Sequence, residues 1–178
     1  AYFKTIERVL KPEGLFALQF ISAPDHRYDN FRKNTDWIKK VNKAKTLLSK
    51  GIEARDQISI LGDDSVPLDY HLDFWKSELI DFAFIQQDSF DAIDMNSSLE
   101  RQSFQLNRVL EVCDRSYEFE DFGAVSQHYK KLINLFKQMN YSDFNSEDLK
   151  SLTSKLKMNS KLSKFLPHES CCISTRLH

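Results

Sequence analysis

Hydrophobic positions recur along this chain mostly at the three- and four-residue spacing of helices, and in one place they run together as in a strand. Phe3, Ile6, Val9 and Leu10 share one face of a short helix over AYFKTIERVL, which Pro12 and Gly14 end. GLFALQFI, residues 14–21, is short, apolar and bounded by turn residues, so it reads as a buried strand. The polar stretch SAPDHRYDNFRKN follows. Beyond it the spacing turns helical, through Trp37, Val41, Ala44, Leu47 and Leu48, then Ile52, Ile58 and Leu61 past Gly51. A boundary is expected near 34–41.

Gly62-Asp63-Asp64-Ser65-Val66-Pro67 is an acidic turn. After it, LDYHLDFWKSELIDFAFIQQ sets Leu72, Trp75, Leu79, Phe82 and Ile85 at helical spacing, and Phe74, Ile80 and Phe84 widen the stripe. One helix running through both glutamines is predicted, then a polar connection over 88–98. From Leu99 to Tyr117, Leu99, Leu106, Val109, Leu110 and Cys113 form a buried side. Glu100, Arg101, Arg108 and Glu111 are assigned to solvent. Val125, Tyr129, Leu132, Ile133, Phe136 and Met139 repeat the pattern, and a charged helix is expected from Ser146 to about Phe165. These elements predict a mainly α fold: an antiparallel helical bundle of about four helices, preceded by a short helix-turn-strand fragment.

Composition agrees with this class. Four glycines and four prolines among 178 residues favour regular helices over a turn-rich β fold. A net charge of −1 provides no field to attract nucleic acid or anionic membrane. The longest uncharged run, residues 14–24, falls short of the roughly 20 apolar residues that span a bilayer. Cys113 and the adjacent Cys171 and Cys172 form no disulfide framework, which points to a reducing, cytoplasmic setting.

Little in the sequence suggests catalysis by this chain alone. Its glycines stand too far apart for a phosphate-cradling loop or dinucleotide fingerprint, and the usual hydrolase, zinc and di-iron motifs do not occur. His168, Cys171, Cys172 and His178 carry soft metal donors, but adjacent cysteines fit a tetrahedral site poorly, so this tail is read as a disordered terminus without a metal. Cys113, on an apolar face, reads as a small buried hydrophobe. Asp81, Asp88, Asp91 and Asp94 read as solvated acids around a helix end, and Asp63 and Asp64 as turn formers. Lys39, Lys40, Lys43, Lys45 and Lys50 read as a wet helix face, and His71 and His128 as structural.

ARDQISILGDDSVP (54–67), WKSELIDFAFIQQDSFDAID (75–94) and ERQSFQLNRVLEVC (100–113) occur in the order and spacing of a known family. Through them, residues 41–145 resemble the C-terminal helical domain of the catalytic A subunit of vacuolar/archaeal-type rotary ATPases. The resemblance implies a bundle below a nucleotide-binding domain, a lever coupling ATP hydrolysis or synthesis to rotor movement and to proton or cation transport. It also implies B-type subunits and the central rotor stalk as partners, and a cytoplasmic place peripheral to the membrane. ATP or ADP with Mg would be held by the parent complex, with no cofactor expected on the isolated chain. By the same likeness, Gln86, Gln87 and Phe90 lie near the nucleotide, while Phe82 and Phe84 pack inside the junction. Where the family usually carries Asn, this chain has Asp88.

YFKTIERVLKPEGLFALQFISAPDHRYD, within residues 1–40, resembles a different family, the C-terminal part of a cyclopropane-fatty-acyl-phospholipid synthase-like class I methyltransferase. That likeness implies S-adenosylmethionine chemistry and places Gln19 and Ile21 as remnants of its site. The chain is thus read as a methyltransferase-like fragment over 1–40, a helical bundle over 41–145, and a polar helix with a tail over 146–178. A helical protein-interaction module is the remaining alternative.

Overall fold

The computed structural model describes residues 35–88, 90–94 and 97–162. The expected first helix and strand, Gln19, Ile21 and the Cys171–Cys172 tail lie outside the described residues. Among the described residues there are five α-helices and no strand: α1 (Thr35–Leu61), α2 (Leu68–Ile80), α3 (Leu99–Cys113), α4 (Phe122–Asn140) and α5 (Glu147–Leu162). None of them is long and apolar enough to cross a membrane.

Helices α1 and α2 form an antiparallel hairpin. Gly51 lies against Ser77, and the Arg55 guanidinium lies 5.6 Å from the Phe74 ring, so positions rising along α1 meet positions falling along α2. Arg55 also pairs with Glu78. The helix ends at Gly62, whose φ of 82° lets its N–H reach Ile58 C=O at 2.9 Å, a stop that a side chain at this position would oppose. Past Gly51 the expected apolar stripe of α1 holds only in part: Ile58 is half-buried, Ile52 and Leu61 are exposed, and Ala54 is the buried contact.

The later helices start on side-chain caps. Ser98 Oγ accepts from Arg101 N–H at 3.3 Å, Asp121 Oδ1 from Ala124 N–H at 2.7 Å, and Ser146 Oγ from Leu149 N–H at 3.1 Å. Each satisfies one of the amide groups that a helix start leaves without a partner. One core runs through all five helices, from Trp37 and Val41 on α1 through Leu79 and Ile80, Leu106 and Val109, Tyr129 and Phe136, to Leu152 and Leu156. Half-buried Trp75 and Phe82 are covered by lysines of α4, with Lys130 Nζ 5.5 Å and Lys137 Nζ 4.9 Å from the ring centres.

Sequence spacing predicted one helix through Gln87. Instead α2 stops at Ile80, a π turn spans Asp81–Ile85, and Gln86 is extended. Spacing of apolar side chains does not report this change, because Phe82, Ala83 and Ile85 still reach the core from the π turn.

Candidate functional site

The segment from Asp81 to Ser98 is built from backbone groups held by its own acids. Gln86 N–H donates to Asp81 C=O at 2.8 Å, and Gln86 Nε2 donates to Asp81 Oδ2 at 2.8 Å. Asp88 Oδ1 accepts from Phe90 N–H at 2.9 Å, while Asp91 Oδ1 accepts from the N–H groups of Ile93 and Asp94 at 2.9 and 2.8 Å. Short carboxylate side chains make such turns because they can reach an amide two or three residues on. Asp94 Oδ2 closes the loop by accepting from Asp88 N–H at 2.7 Å, and Tyr141 Oη donates to Asp88 Oδ2 at 3.3 Å. Asp88 thus uses both its oxygens on this chain.

The loop presents Phe90 to solvent with 98% of its surface free. Gln86 is exposed and Gln87 half-buried. All three residues singled out in the sequence therefore sit on one short stretch, two as accessible side chains and one at the edge of the bundle. Phe82 and Phe84 pack half-buried against the core.

Beneath the loop lies a polar cluster that the sequence reading missed. Arg101, assigned to solvent, is 5% exposed, and Asp94, assigned to a solvated helix end, is 4% exposed. The Arg101 guanidinium donates to Met139 C=O at 3.0 Å and also to Asn140 C=O, which places a cation on the carbonyl end of α4. Gln105 donates to Asn140 Oδ1, and Asn140 Nδ2 donates to Ala83 C=O at 3.2 Å. Residues from the π turn, α3 and α4 are tied at one point. A usable signal was present: Arg101, Gln105 and Val109 follow each other at four-residue spacing on the buried face of α3.

Burial governs the electrostatics here. It raises the Asp94 carboxyl above its ordinary value, partly offset by the Asp88 N–H and the Arg101 charge. It lowers the Arg101 guanidinium, against which Asp94, Asp143 and Asp91 act. Backbone groups satisfy both inside the bundle, the carbonyls of Met139 and Asn140 for Arg101 and the Asp88 N–H for Asp94, and the two charges attract each other across the cluster.

Cys113 and His71 both lie inside the bundle. Cys113 is buried, and desolvation pushes its thiol up to about 12, which leaves it protonated and a poor nucleophile. His71 is buried with Nε2 3.1 Å from Asp63 C=O and its ring stacked on Phe122 at 5.2 Å. Among the described residues no cluster of metal-ligating side chains occurs. A groove of about 500 Å³ opens where α1, α2 and α4 meet, floored by Phe74, Trp75 and Phe122 with Arg55 and Ser126 beside them.

Comparison with known proteins places these features in a family. Residues 26–118 match the model of the C-terminal domain of V and A type ATP synthase. The V-type ATP synthase alpha chain of Borrelia duttonii is 31% identical over 114 residues, covering 64% of this chain and 20% of that protein. Its counterpart from Protochlamydia amoebophila is 26% identical over 121 residues, covering 68% and 20%. That from Borreliella burgdorferi is 32% identical over 114 residues, covering 64% and 20%. The chain spans about a fifth of the length of these curated relatives. None of these matches lends support to the methyltransferase likeness of the first 40 residues. With more than half of its length matched by the family model, the chain belongs to the family of the C-terminal domain of V and A type ATP synthases.

Proposed function

We propose that this domain is the lever of a catalytic A subunit, coupling nucleotide state in the parent complex to movement of the central rotor stalk, without catalysing a reaction itself. In this reading the loop carrying Gln86, Gln87 and Phe90 faces the nucleotide domain. Phe90 offers a ring face and the two amides offer hydrogen bonds to ATP or ADP, whose Mg is held by other residues of the subunit. The opposite end of the bundle meets the stalk, and B-type subunits flank it. The complex works at the cytoplasmic face of a membrane it does not enter through this domain, and drives proton or cation transport.

One observation carries the reading. Helix α2 separates two unlike ends by about 20 Å, its thirteen residues rising 1.5 Å each. The end beyond its C-terminus exposes Phe90 on a hydrogen-bonded loop, and the end at its N-terminus exposes Ile60, Leu61 and Tyr70. Both ends share the continuous core between them, so displacement of one is carried to the other by packed side chains. Surface-exposed aliphatics beside an acidic turn suit an amphipathic helical partner with basic flanks.

The test is titration calorimetry of the chain with the purified central-stalk subunit. The parent should bind, and the double variant Ile60→Asp, Leu61→Asp should bind at least about tenfold more weakly, as loss of a buried apolar anchor predicts. Absence of binding by the parent, or equal binding by the variant, refutes the lever reading.

A further inference from the structure

Helix α2 and the turn after it differ in register. Over Asp81–Ile85 the backbone widens into a π turn, with Gln86 N–H reaching back five residues to Asp81 C=O. The Gln86 side-chain amide reaches the Asp81 carboxylate as well. Positions five apart on an α-helix point roughly 140° away from each other, so this second bond depends on the wide turn. Single π turns inside or at the end of helices are the usual form of this geometry and recur at functional sites.

What holds the wide turn comes from outside it. Ala83 C=O, within the turn, accepts from Asn140 Nδ2 at 3.2 Å. Asn140 is the last residue of α4, and it is 4% exposed. Its other side-chain atom accepts from Gln105 on α3, and its own carbonyl accepts from Arg101. A buried carbonyl must keep a partner, so Ala83 C=O ties the register of the turn to the position of the α4 end.

We infer that Asp81–Ile85 is a two-register switch latched by Asn140. When the end of α4 withdraws the Asn140 amide, the turn tightens to α: Gln86 N–H passes from Asp81 C=O to Phe82 C=O, and Gln87 N–H takes up Ala83 C=O. The buried Ala83 C=O thereby exchanges the Asn140 amide for the Gln87 N–H and keeps a partner in both settings. Tightening turns Gln86 and Gln87 about the helix axis and parts Gln86 from the Asp81 carboxylate. Motion at α4 is thereby written into the orientation of the loop. The switch stands on this geometry, and its service to rotor coupling rests on the reading given above.

The test uses the full 178-residue chain and needs neither nucleotide nor partner, so it fails or succeeds apart from the lever reading. Asn140→Asp keeps an acceptor for Gln105 and removes the donor to Ala83. Asn140→Ser removes both contacts without adding charge. Magnetic resonance detects the coupling between an amide nitrogen and the carbonyl carbon that accepts its hydrogen bond. In the parent, Gln86 should couple to Asp81. In the variants the coupling should move to Phe82, with the amides of α1 and α2 as well protected from exchange as before. Coupling that stays on Asp81 in a folded variant overturns the switch. Should neither variant fold, relaxation dispersion on the parent decides: exchange confined to the amides of residues 82–87 supports the switch, and flat profiles there overturn it.

Discussion

Gly51→Ala tests the closest approach in the bundle. In an ordinary helix this substitution helps, since Ala is better than Gly by about 1 kcal/mol in a helix interior. Here the added Cβ would lie 2.0 Å from Ser77 Oγ and 2.1 Å from Ser77 Cβ, with Asp73 C=O at 3.3 Å. Carbon atoms in contact prefer roughly 3.5–4.0 Å. Rotating the Ser77 hydroxyl away from Phe74 C=O does not help, because its Cβ is fixed to the α2 backbone. The two helices must part by roughly 1.5 Å to restore that contact distance, which loosens Leu79 and Ile80 in the core. Overpacking of this kind costs about 1–3 kcal/mol. Contacts as short as 2.0 and 2.1 Å put this case at the upper end, about 2–3 kcal/mol, so against the gain in propensity a net loss of about 1–2 kcal/mol is expected. Urea unfolding followed by circular dichroism should show a lower midpoint at unchanged slope. Ser77→Gly on the same chain should restore most of the loss by removing the opposing Cβ. A single variant as stable as the parent, or a second substitution that restores nothing, refutes the account of the hairpin.

Three further outcomes are expected. Leu79→Ala, at a position with no exposed surface, should cost about 3 kcal/mol in urea unfolding, and Trp75→Ala should cost less because that ring is only half-buried. Arg101→Met should cost about 3 kcal/mol by leaving the buried carbonyls of Met139 and Asn140 without their charged donor, whereas Arg108→Met, which breaks a more accessible pair with Glu111, should cost less than about 1 kcal/mol by the same measurement. Burial, with Lys131 adding to it, lowers the pKa of His128 below 6.5, so its neutral form is favoured in the fold. The stability this brings is complete above 6.5 and is lost as pH falls through the depressed folded value. Urea midpoints measured across that range should therefore drop more steeply in the parent than in His128→Gln.

The helices were legible because their apolar residues recur at helical spacing. Val125, Tyr129, Leu132, Phe136 and Met139 were read as one face, and each is buried. The caps were equally available, since Ser98, Asp121 and Ser146 stand just before the first helical residue. Arg101 was misplaced because its charge outweighed its position, although its four-residue step to Gln105 and Val109 puts it on the core face. Asp94 was hidden for another reason: its burial depends on the loop folding back to bring the Asp88 amide to it, a non-periodic contact. The π turn lies in the same class, since its register is fixed by Asn140, 57 residues away from Ala83. The residues tied to the nucleotide by resemblance stand within five positions of one another in the chain, and the structure adds that Phe90 projects while Gln86 is engaged with Asp81.

The spacing along the chain of these contacts bears on the order in which the bundle assembles. The hairpin of α1 and α2 is joined by only the six residues 62–67, so its Gly51–Ser77 approach closes a short loop and should form early. The amide of Asn140 can find Ala83 only after α3 and α4 have been laid down and docked. Folding should therefore proceed from the end bearing Ile60 and Leu61 towards the end bearing Phe90, and unfolding should begin where the last bonds were made. The loop that carries the two glutamines would then be the first part of the domain to open under load, with the α1–α2 hairpin still intact beneath it.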